Sequence, residues 1–234
     1  MNALVTGGTK GIGFAIAESM VASGSNVVIT GRDDGRVRSA VTALAKSCAP
    51  GARVVGVVAD MRDRAAVEAA VEKVVSTFGS MHTLINNAGV GEFVSVENMT
   101  DAAWHQVIDT NLTGVFYATR ASIPCLKASG GGWIINIASL AGRNYFANAA
   151  AYCASKAGLV AFSEAVMLEV RNDNIRVSCV MPGSVATEFS HPTKVEDESW
   201  KLTAEDIAEV VMDLLKHPTR SLPSKVEIRP SKTK

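Results

Sequence analysis

Residues 2–13 read NALVTGGTKGIG, and this stretch contains the clearest indication of how the chain folds. An almost continuously apolar run at 2–6 predicts a buried strand, and Gly7, Gly11 and Gly13 follow it at a turn. Glycines let the backbone turn tightly and approach a pyrophosphate, whose negative charge is attracted by the N-terminus of the next helix. The spacing is G-xxx-G-x-G, and because no GKS or GKT follows, a P-loop is excluded. Strand, glycine turn and helix in this order predict a dinucleotide-binding unit.

The rest of the chain alternates apolar runs with helical patterns. Strands are predicted at 2–6, 26–30, 53–58, 83–86, 132–138, 175–181 and 225–228, and helices at 11–23, 35–47, 63–78, 101–128, 151–172 and 203–217. Apolar, β-branched strands suit a parallel sheet that is buried on both faces. The predicted fold class is therefore α/β, a doubly wound parallel sheet flanked by helices on both faces. No Pro/Gly/Ser-rich linker interrupts the pattern, so we expect a single domain over 1–234.

Local signals mark several boundaries. Thr100 and Asp101 are typical of a helix start, and Thr203 followed by Asp206 resembles a capping box. The longest stretch without periodicity is 184–201, and long loops in compact domains are often lids or binding loops. We therefore predict a substrate-binding loop at about 184–201, with an inert connector as the alternative.

Composition narrows the function classes. Net charge is zero and the pI is about 6.9, so no basic excess favours nucleic acid or an anionic membrane. No apolar run approaches the roughly 18 residues of a membrane span, and no secretory signal is apparent. The four cysteines lack CxxC spacing, which favours free thiols in the cytoplasm. The four histidines lack companions at metal-ligand spacing, so no metal site is predicted.

The residues after the second predicted strand bear on the choice of cofactor. They read GRDD, from Gly31. A carboxylate such as Asp33 would bind the adenosine ribose of NAD, whereas Arg32 would pair with the 2′-phosphate of NADP. Because Gly31 leaves room and Lys10 in the glycine loop adds a second cation, NADP(H) is favoured. NAD(H) stays an alternative, as does a purely solvated Arg32.

The segment AYCASK, from Ala151, places two polar side chains one helical turn apart. Tyr152 and Lys156 are at i and i+4, and so share a helix face. An ammonium near a phenol in a partly dry cleft favours the phenolate, which would make the tyrosine a better proton exchanger. Tyr145 has Ala149 four residues on, so it lacks such a cation.

Together with TGGTKGIG at 6–13, NNAG at 86–89, Asn111, Ser139 and PGSVAT at 182–187, this pair makes the chain resemble the short-chain dehydrogenase/reductase family. The resemblance covers nearly the whole chain. It implies a Rossmann-type sheet of seven strands in the order 3-2-1-4-5-6-7, assembly into homodimers or homotetramers, and hydride transfer between a nicotinamide and a carbonyl or alcohol. The long helical stretches 101–128 and 151–172 would build the subunit contact.

The resemblance also implies residue roles. Lys10 and Arg32 match the NADP phosphate site, Asp60 a residue that meets the adenine, and Thr187 a contact of the carboxamide. The cofactor-binding residues predicted in this way are Gly7, Thr9, Lys10, Gly11, Ile12, Gly13, Arg32, Asp60, Met61, Asn87, Ala88, Gly89, Tyr152, Lys156, Pro182, Gly183, Val185 and Thr187.

Four residues are predicted to be catalytic: Asn111, Ser139, Tyr152 and Lys156. Ser139 ends the fifth predicted strand, where ligands of such sheets lie, although a lone serine there is often a turn former. By the resemblance, Asn111 marks a distorted point of its helix and binds a water that connects to Lys156. A mid-helix asparagine is otherwise an ordinary solvated residue.

These features predict an NADPH-dependent oxidoreductase that reduces a ketone or aldehyde, for which a 3-oxoacyl thioester is one candidate, with Tyr152 as general acid. Two alternatives remain: a catalytically silent NADP(H)-binding sensor or scaffold, and an alcohol dehydrogenase that works in the oxidative direction. Phe146, Phe189 and Trp200 are candidates for the wall of a small-molecule carbonyl site, with simple packing as the alternative.

Overall fold

Seven parallel strands form one sheet in the order β3-β2-β1-β4-β5-β6-β7. The computed structural model describes residues 1–187 and 198–232. The strands are β1 (Asn2–Val5), β2 (Asn26–Gly31), β3 (Val54–Val58), β4 (Thr83–Asn86), β5 (Gly132–Ile137), β6 (Ile175–Pro182) and β7 (Lys225–Ile228). The predicted fold, strand order and strand boundaries, to within one residue, are confirmed.

Helices cover both faces of the sheet. They are α1 (Gly11–Ala22), α2 (Asp34–Leu44), α3 (Arg64–Phe78), α4 (Asp101–Ile108), α5 (Gly114–Ala128), α6 (Ala150–Val170) and α7 (Ala204–Lys216). Short 3-10 turns lie at Ala45–Ser47, Val96–Asn98, Leu140–Gly142 and Arg171–Asp173.

Successive strand residues point to opposite faces and so build two cores. Val5, Ile29 and Ile85 pack with α1, α2 and α7, whereas their neighbours Leu4 and Leu84 pack with α3, α5 and α6. Both faces are apolar because both are covered. The helices therefore bury both faces of the sheet, and the carboxyl edge is the side where ligands of such sheets bind.

The predicted helix 101–128 is interrupted. Residues Asp109–Thr113 form a π-helical turn between α4 and α5, and Asn111 lies at its centre, completely buried. The chain comes close to its neighbours here, since a Cβ on Gly114 would lie 2.6 Å from the Met61 carbonyl oxygen. The distortion implied by the family resemblance is present, and the prediction of one continuous helix is wrong.

Helix starts follow the predicted caps. Thr100 accepts a hydrogen bond from the Ala103 amide, and Thr203 forms a complete capping box with Asp206. Asp33, the candidate ribose ligand, lines the cleft and also caps α2 by accepting from the Arg36 amide at 2.8 Å.

The two described ends of the predicted 184–201 loop are joined to each other. The Ala186 amide donates to the Leu202 carbonyl at 2.8 Å, and the Leu202 amide donates to the Ser184 carbonyl at 3.0 Å. The middle of that loop, including Phe189, lies outside the described residues. Six described residues of this stretch line a cleft at the carboxyl edge of the sheet: Ser184, Val185, Ala186, Thr187, Trp200 and Lys201.

Candidate active site

A large cleft opens along the carboxyl edge of the sheet, where the strand order reverses between β1 and β4. Its volume of about 1620 Å³ exceeds the range of roughly 300–1,000 Å³ that is usual for one drug-sized ligand. It therefore has room for a dinucleotide together with a small second molecule. All of the predicted cofactor residues except Gly13 line it, as do Ser139 and Phe146.

The glycine turn is held against the loop after β4. Gly7 adopts φ 65° and Gly11 φ 55°, in the left-handed region that favours glycine. The Asn87 side-chain amide donates to the carbonyls of Thr6 and Gly7 at 3.0 and 3.1 Å. The Thr6 hydroxyl in turn accepts from the backbone amides of Asn87 and Ala88. Predicted cofactor segments that are far apart in sequence thus form one surface.

Gly13 stands behind this surface and does not line the cleft. A Cβ at this position would lie 2.4 Å from the Gly7 carbonyl oxygen and 2.3 Å from the Asn87 amide nitrogen. The structure therefore gives Gly13 a packing role, which lets α1 approach the glycine turn. The prediction that it contacts the cofactor directly is not supported by its position.

The turn and α1 fit a bound pyrophosphate. The side chain of the N-cap residue, Lys10, does not cap α1, so the first backbone amides of that helix are not closed by it. Glycines at these positions leave the space that side chains would fill, which is the cradle a dinucleotide needs. The residues present therefore fit the group that the sequence predicts.

Basic side chains surround one end of the cleft. Lys10, Arg32, Arg36 and Arg62 all line it. Arg62 pairs with Asp60, to whose carboxylate it donates from Nε at 3.1 Å and from Nη2 at 2.7 Å. The Arg62 hydrogen bond, aided by the charge of Arg32, lowers the pKa of Asp60. Sequence reasoning missed Arg36 and Arg62, although both come within five residues of a strand's carboxyl end.

Three predicted catalytic side chains meet at the other end. Ser139 follows β5, and its hydroxyl accepts from the Ala141 amide at 3.1 Å and hydrogen-bonds with Tyr152. Tyr152 and Lys156 lie on one face of α6, with the Lys156 Nζ 5.9 Å from the centroid of the Tyr152 ring. Lys156 is buried and donates to the Ile137 carbonyl at 2.9 Å.

Burial dominates the electrostatics of this pair. Loss of solvent lowers the pKa of Lys156 to about 8 and raises the pKa of Tyr152, and the hydrogen bond with Ser139 opposes part of the latter shift. Burial therefore outweighs the groups that lower the pKa of Tyr152 here, and the expected depression of that pKa by Lys156 stays a prediction. At neutral pH the phenol is a protonated group that is ready to donate.

Asn111 lies beneath the site and does not line the cleft. Its amide nitrogen donates to the Val90 carbonyl and the Ser155 hydroxyl, at 2.8 and 3.0 Å, and its oxygen accepts from the Val90 amide at 2.8 Å. Ser155 in turn donates to the Tyr152 carbonyl at 2.8 Å. The side chain thus fastens the loop after β4 to α6, and the predicted link through a water to Lys156 stays a prediction.

Aromatic side chains lie beside the phenol. Phe93 packs its ring against Tyr152, with centroids 5.7 Å apart, and against Phe146, with centroids 6.0 Å apart. Tyr145 is 70% exposed and does not line the cleft. Phe93 was missed by sequence reasoning; its position in the loop after NNAG, at the carboxyl end of β4, was the available signal.

Among the described residues, no cluster of three or more His, Cys, Asp or Glu side chains could hold a metal ion. In residues 1–187 and 198–232, no helix combines the length and hydropathy that crossing a bilayer requires.

A comparison of the chain with known protein families shows to which family it belongs. A family model described as short chain dehydrogenase matches residues 1–198. The chain belongs to the short-chain dehydrogenase family. This membership makes nicotinamide-dependent oxidoreduction its class of chemistry.

Three similar proteins illustrate the family. 3-Oxoacyl-[acyl-carrier-protein] reductase FabG of Chlamydia muridarum is 36% identical over 189 residues, which are 80% of this chain and 75% of that protein. Cyclohexanol dehydrogenase of an Acinetobacter species is 34% identical over 91% of this chain and 86% of that protein. The crystal structure of a metagenomic short-chain oxidoreductase in complex with NADP has a TM-score of 0.85 and 34% identity, over 99% of this chain and 97% of that one.

Proposed function

We propose that this short-chain dehydrogenase is an NADPH-dependent reductase of a ketone or aldehyde, with Tyr152 as the general acid. The observation that carries the proposal is the meeting of Ser139, Tyr152 and Lys156 at one end of a cleft whose other end is a dinucleotide cradle. A 3-oxoacyl thioester is one candidate substrate, supported by the similarity to FabG. The free cysteines of the chain support a reducing compartment such as the cytoplasm.

The chemistry is divided between cofactor and protein. When bound, NADPH supplies the hydride for the carbonyl carbon. The hydroxyls of Ser139 and Tyr152 are hydrogen-bonded to each other, so both can donate to one substrate oxygen. Tyr152 gives its proton to that oxygen as negative charge develops there. The buried ammonium of Lys156 then stabilises the phenolate that remains.

The two alternatives differ in measurable ways. A sensor or scaffold would bind NADPH but turn over no carbonyl compound. An alcohol dehydrogenase would use the same residues in reverse, as the similarity to cyclohexanol dehydrogenase suggests. Oxidation needs Tyr152 as a phenolate, and burial raises its pKa. Alcohol oxidation should therefore accelerate as the pH is raised.

The first prediction concerns the general acid. Tyr152→Phe removes the donated proton but keeps the ring and its packing, so we expect kcat for ketone reduction to fall by about 10³-fold, with NADPH affinity changed less than threefold. Steady-state oxidation of NADPH with a panel of ketones and 3-oxoacyl thioesters, together with a fluorescence titration of NADPH, measures both. A variant with activity within a few-fold of wild type would contradict the assignment. If the wild type reduces nothing in the panel yet binds NADPH tightly, the sensor alternative gains support.

We also propose that the cofactor is NADP(H) and not NAD(H). Support comes from three cations that follow β1 and β2 and line the cleft, Lys10, Arg32 and Arg36. Asp33 is engaged at the N-terminus of α2 and so is a weaker candidate for a ribose ligand. The solved relative in complex with NADP agrees with this preference.

The second prediction tests this preference. Arg32→Ala should weaken NADPH binding by about tenfold or more, because one charge-assisted phosphate contact contributes about 1.5–3 kcal/mol. NADH binding should change less than twofold. Arg38→Ala is the matched control, since Arg38 is exposed on α2, pairs with Asp34 and does not line the cleft. Equal losses for both cofactors would show that Arg32 does not distinguish them.

A further inference from the structure

The catalytic tyrosine has an aromatic neighbourhood that the proposed proton transfer does not need. Phe93 comes from the loop after β4, and Phe146 from the segment before α6. Their ring planes are tilted by 31°, and the Phe93 ring meets the Tyr152 ring at 65°, edge to face. We call Phe93 and Phe146 together the aromatic wall.

Both rings of the aromatic wall are exposed to solvent, which is unfavourable for apolar surface. Phe93 is 45% and Phe146 52% exposed, and both line the cleft. Large apolar surface beside convergent polar groups is typical of a ligand site, because burying it against a ligand releases water.

The charged neighbours of the aromatic wall in sequence do not change this character. Glu92 and Arg143 do not line the cleft, and Arg143 forms an ion pair with Glu227 at 2.7 Å. The surface that Phe93 and Phe146 themselves present to the cleft is therefore apolar.

We propose that the aromatic wall selects substrates in which an apolar ring is attached next to the carbonyl, that is, aryl ketones. This inference rests on the proposed function, since it concerns the same site. A ring placed against Phe93 and Phe146 forms stacked or edge-to-face contacts, each of which contributes about 0.5–1.5 kcal/mol beyond the burial of its area. An open alkyl chain forms no such contacts. Two such pairs should make kcat/KM for an aryl ketone about tenfold higher than for an open-chain ketone.

The test compares two ketones with the same number of carbon atoms. Acetophenone carries a ring next to the carbonyl, and 2-octanone carries an open chain. Wild type should prefer acetophenone, and Phe93→Ala and Phe146→Ala should each lower the ratio of the two kcat/KM values by about three- to tenfold, mainly through KM. Any disturbance of Tyr152 itself lowers both values and cancels in the ratio.

Tyr145→Ala is the matched control, because it removes an exposed aromatic ring next to Phe146 that does not line the cleft. It should leave the ratio unchanged. The inference is overturned if wild type does not prefer acetophenone, or if the ratio changes no more in the wall variants than in Tyr145→Ala. Should wild type reduce neither ketone nor any other in the panel, the proposed function itself fails, which is a distinguishable result.

Discussion

At the scale of the residue, Lys156 is the costliest side chain in the site. It is only 4% exposed, and burial lowers its pKa from 10.5 to about 8. Below pH 8 the folded protein holds a charge that solvent would stabilise better, at a cost of about 3 kcal/mol for a shift of this size. Between pH 8 and 10.5 the unfolded chain keeps the proton that the folded one gives up, so stability rises with pH in that window.

The third prediction follows from this cost. Lys156→Met should be inactive, yet without added cofactor it should be more stable than wild type at pH 7 by about 2 kcal/mol, allowing for the lost hydrogen bond to Ile137. The advantage should shrink at pH 9.5. Urea unfolding at both pH values measures it, and Lys46→Met, at an exposed position, is the control. A Lys156→Met protein that unfolds at lower urea than wild type at pH 7 would show that the ammonium is well compensated.

At the scale of the element, the glycine turn packs tightly against the first turn of α1 at Gly13. The backbone of Gly7 and the side chain of Asn87 occupy the space that a larger residue at position 13 would need. Because one of the two obstacles is a backbone carbonyl, relief requires movement of the whole turn.

The fourth prediction uses a pair of glycine substitutions in the first turns of two helices. Gly13→Ala should destabilise the protein by about 2 kcal/mol, as overpacking does, and weaken NADPH binding at least tenfold. Gly35→Ala in α2 meets only a carboxylate oxygen of Asp33, at 3.4 Å. Since alanine favours helix by about 0.5–1 kcal/mol over glycine, that control should be neutral or slightly stabilising. Thermal unfolding measures the change in stability, and NADPH titration measures the change in affinity. Equal behaviour of the two variants would contradict the packing role of Gly13.

Elements also show what sequence could and could not predict. Strands were predictable because each is a short apolar run buried on both faces, and caps were predictable because their partners lie three residues away. The π-helical turn was not predictable from periodicity, and its central residue Asn111 bonds to residues 21 and 44 positions away, Val90 and Ser155. The place of Phe93 beside Tyr152 was not predictable for the same reason, since its aromatic partners come from another segment of the chain.

At the scale of the whole molecule, the helices α4, α5 and α6 each leave a large apolar side chain exposed. Trp104, Phe116 and Leu168 are exposed, and Arg120 lies over the ring of Phe116 with its Cζ 4.8 Å from the centroid. Family resemblance implies a subunit contact on these helices. We propose that the protein is a homodimer or homotetramer that uses this surface.

The fifth prediction concerns assembly. Light scattering should give a mass that is two or four times the 24.6 kDa of the chain. Phe116→Glu should reduce it, because a buried unpaired carboxylate opposes association. Thr42→Glu places the same charge on the exposed side of α2, on the other face of the sheet, and should leave the mass unchanged. A wild-type mass of one chain would contradict the proposal.

The hydrogen bonds that join Ser184 and Ala186 to Leu202 have a consequence for how such an enzyme can diversify. They join the two described stretches on either side of 188–197 directly to each other, next to the start of α7. Closing a flexible segment of twice the length costs only about 0.6 kcal/mol more. Insertions and deletions between 188 and 197 should therefore be tolerated, and this is where a library that changes substrate range without loss of the scaffold would be placed.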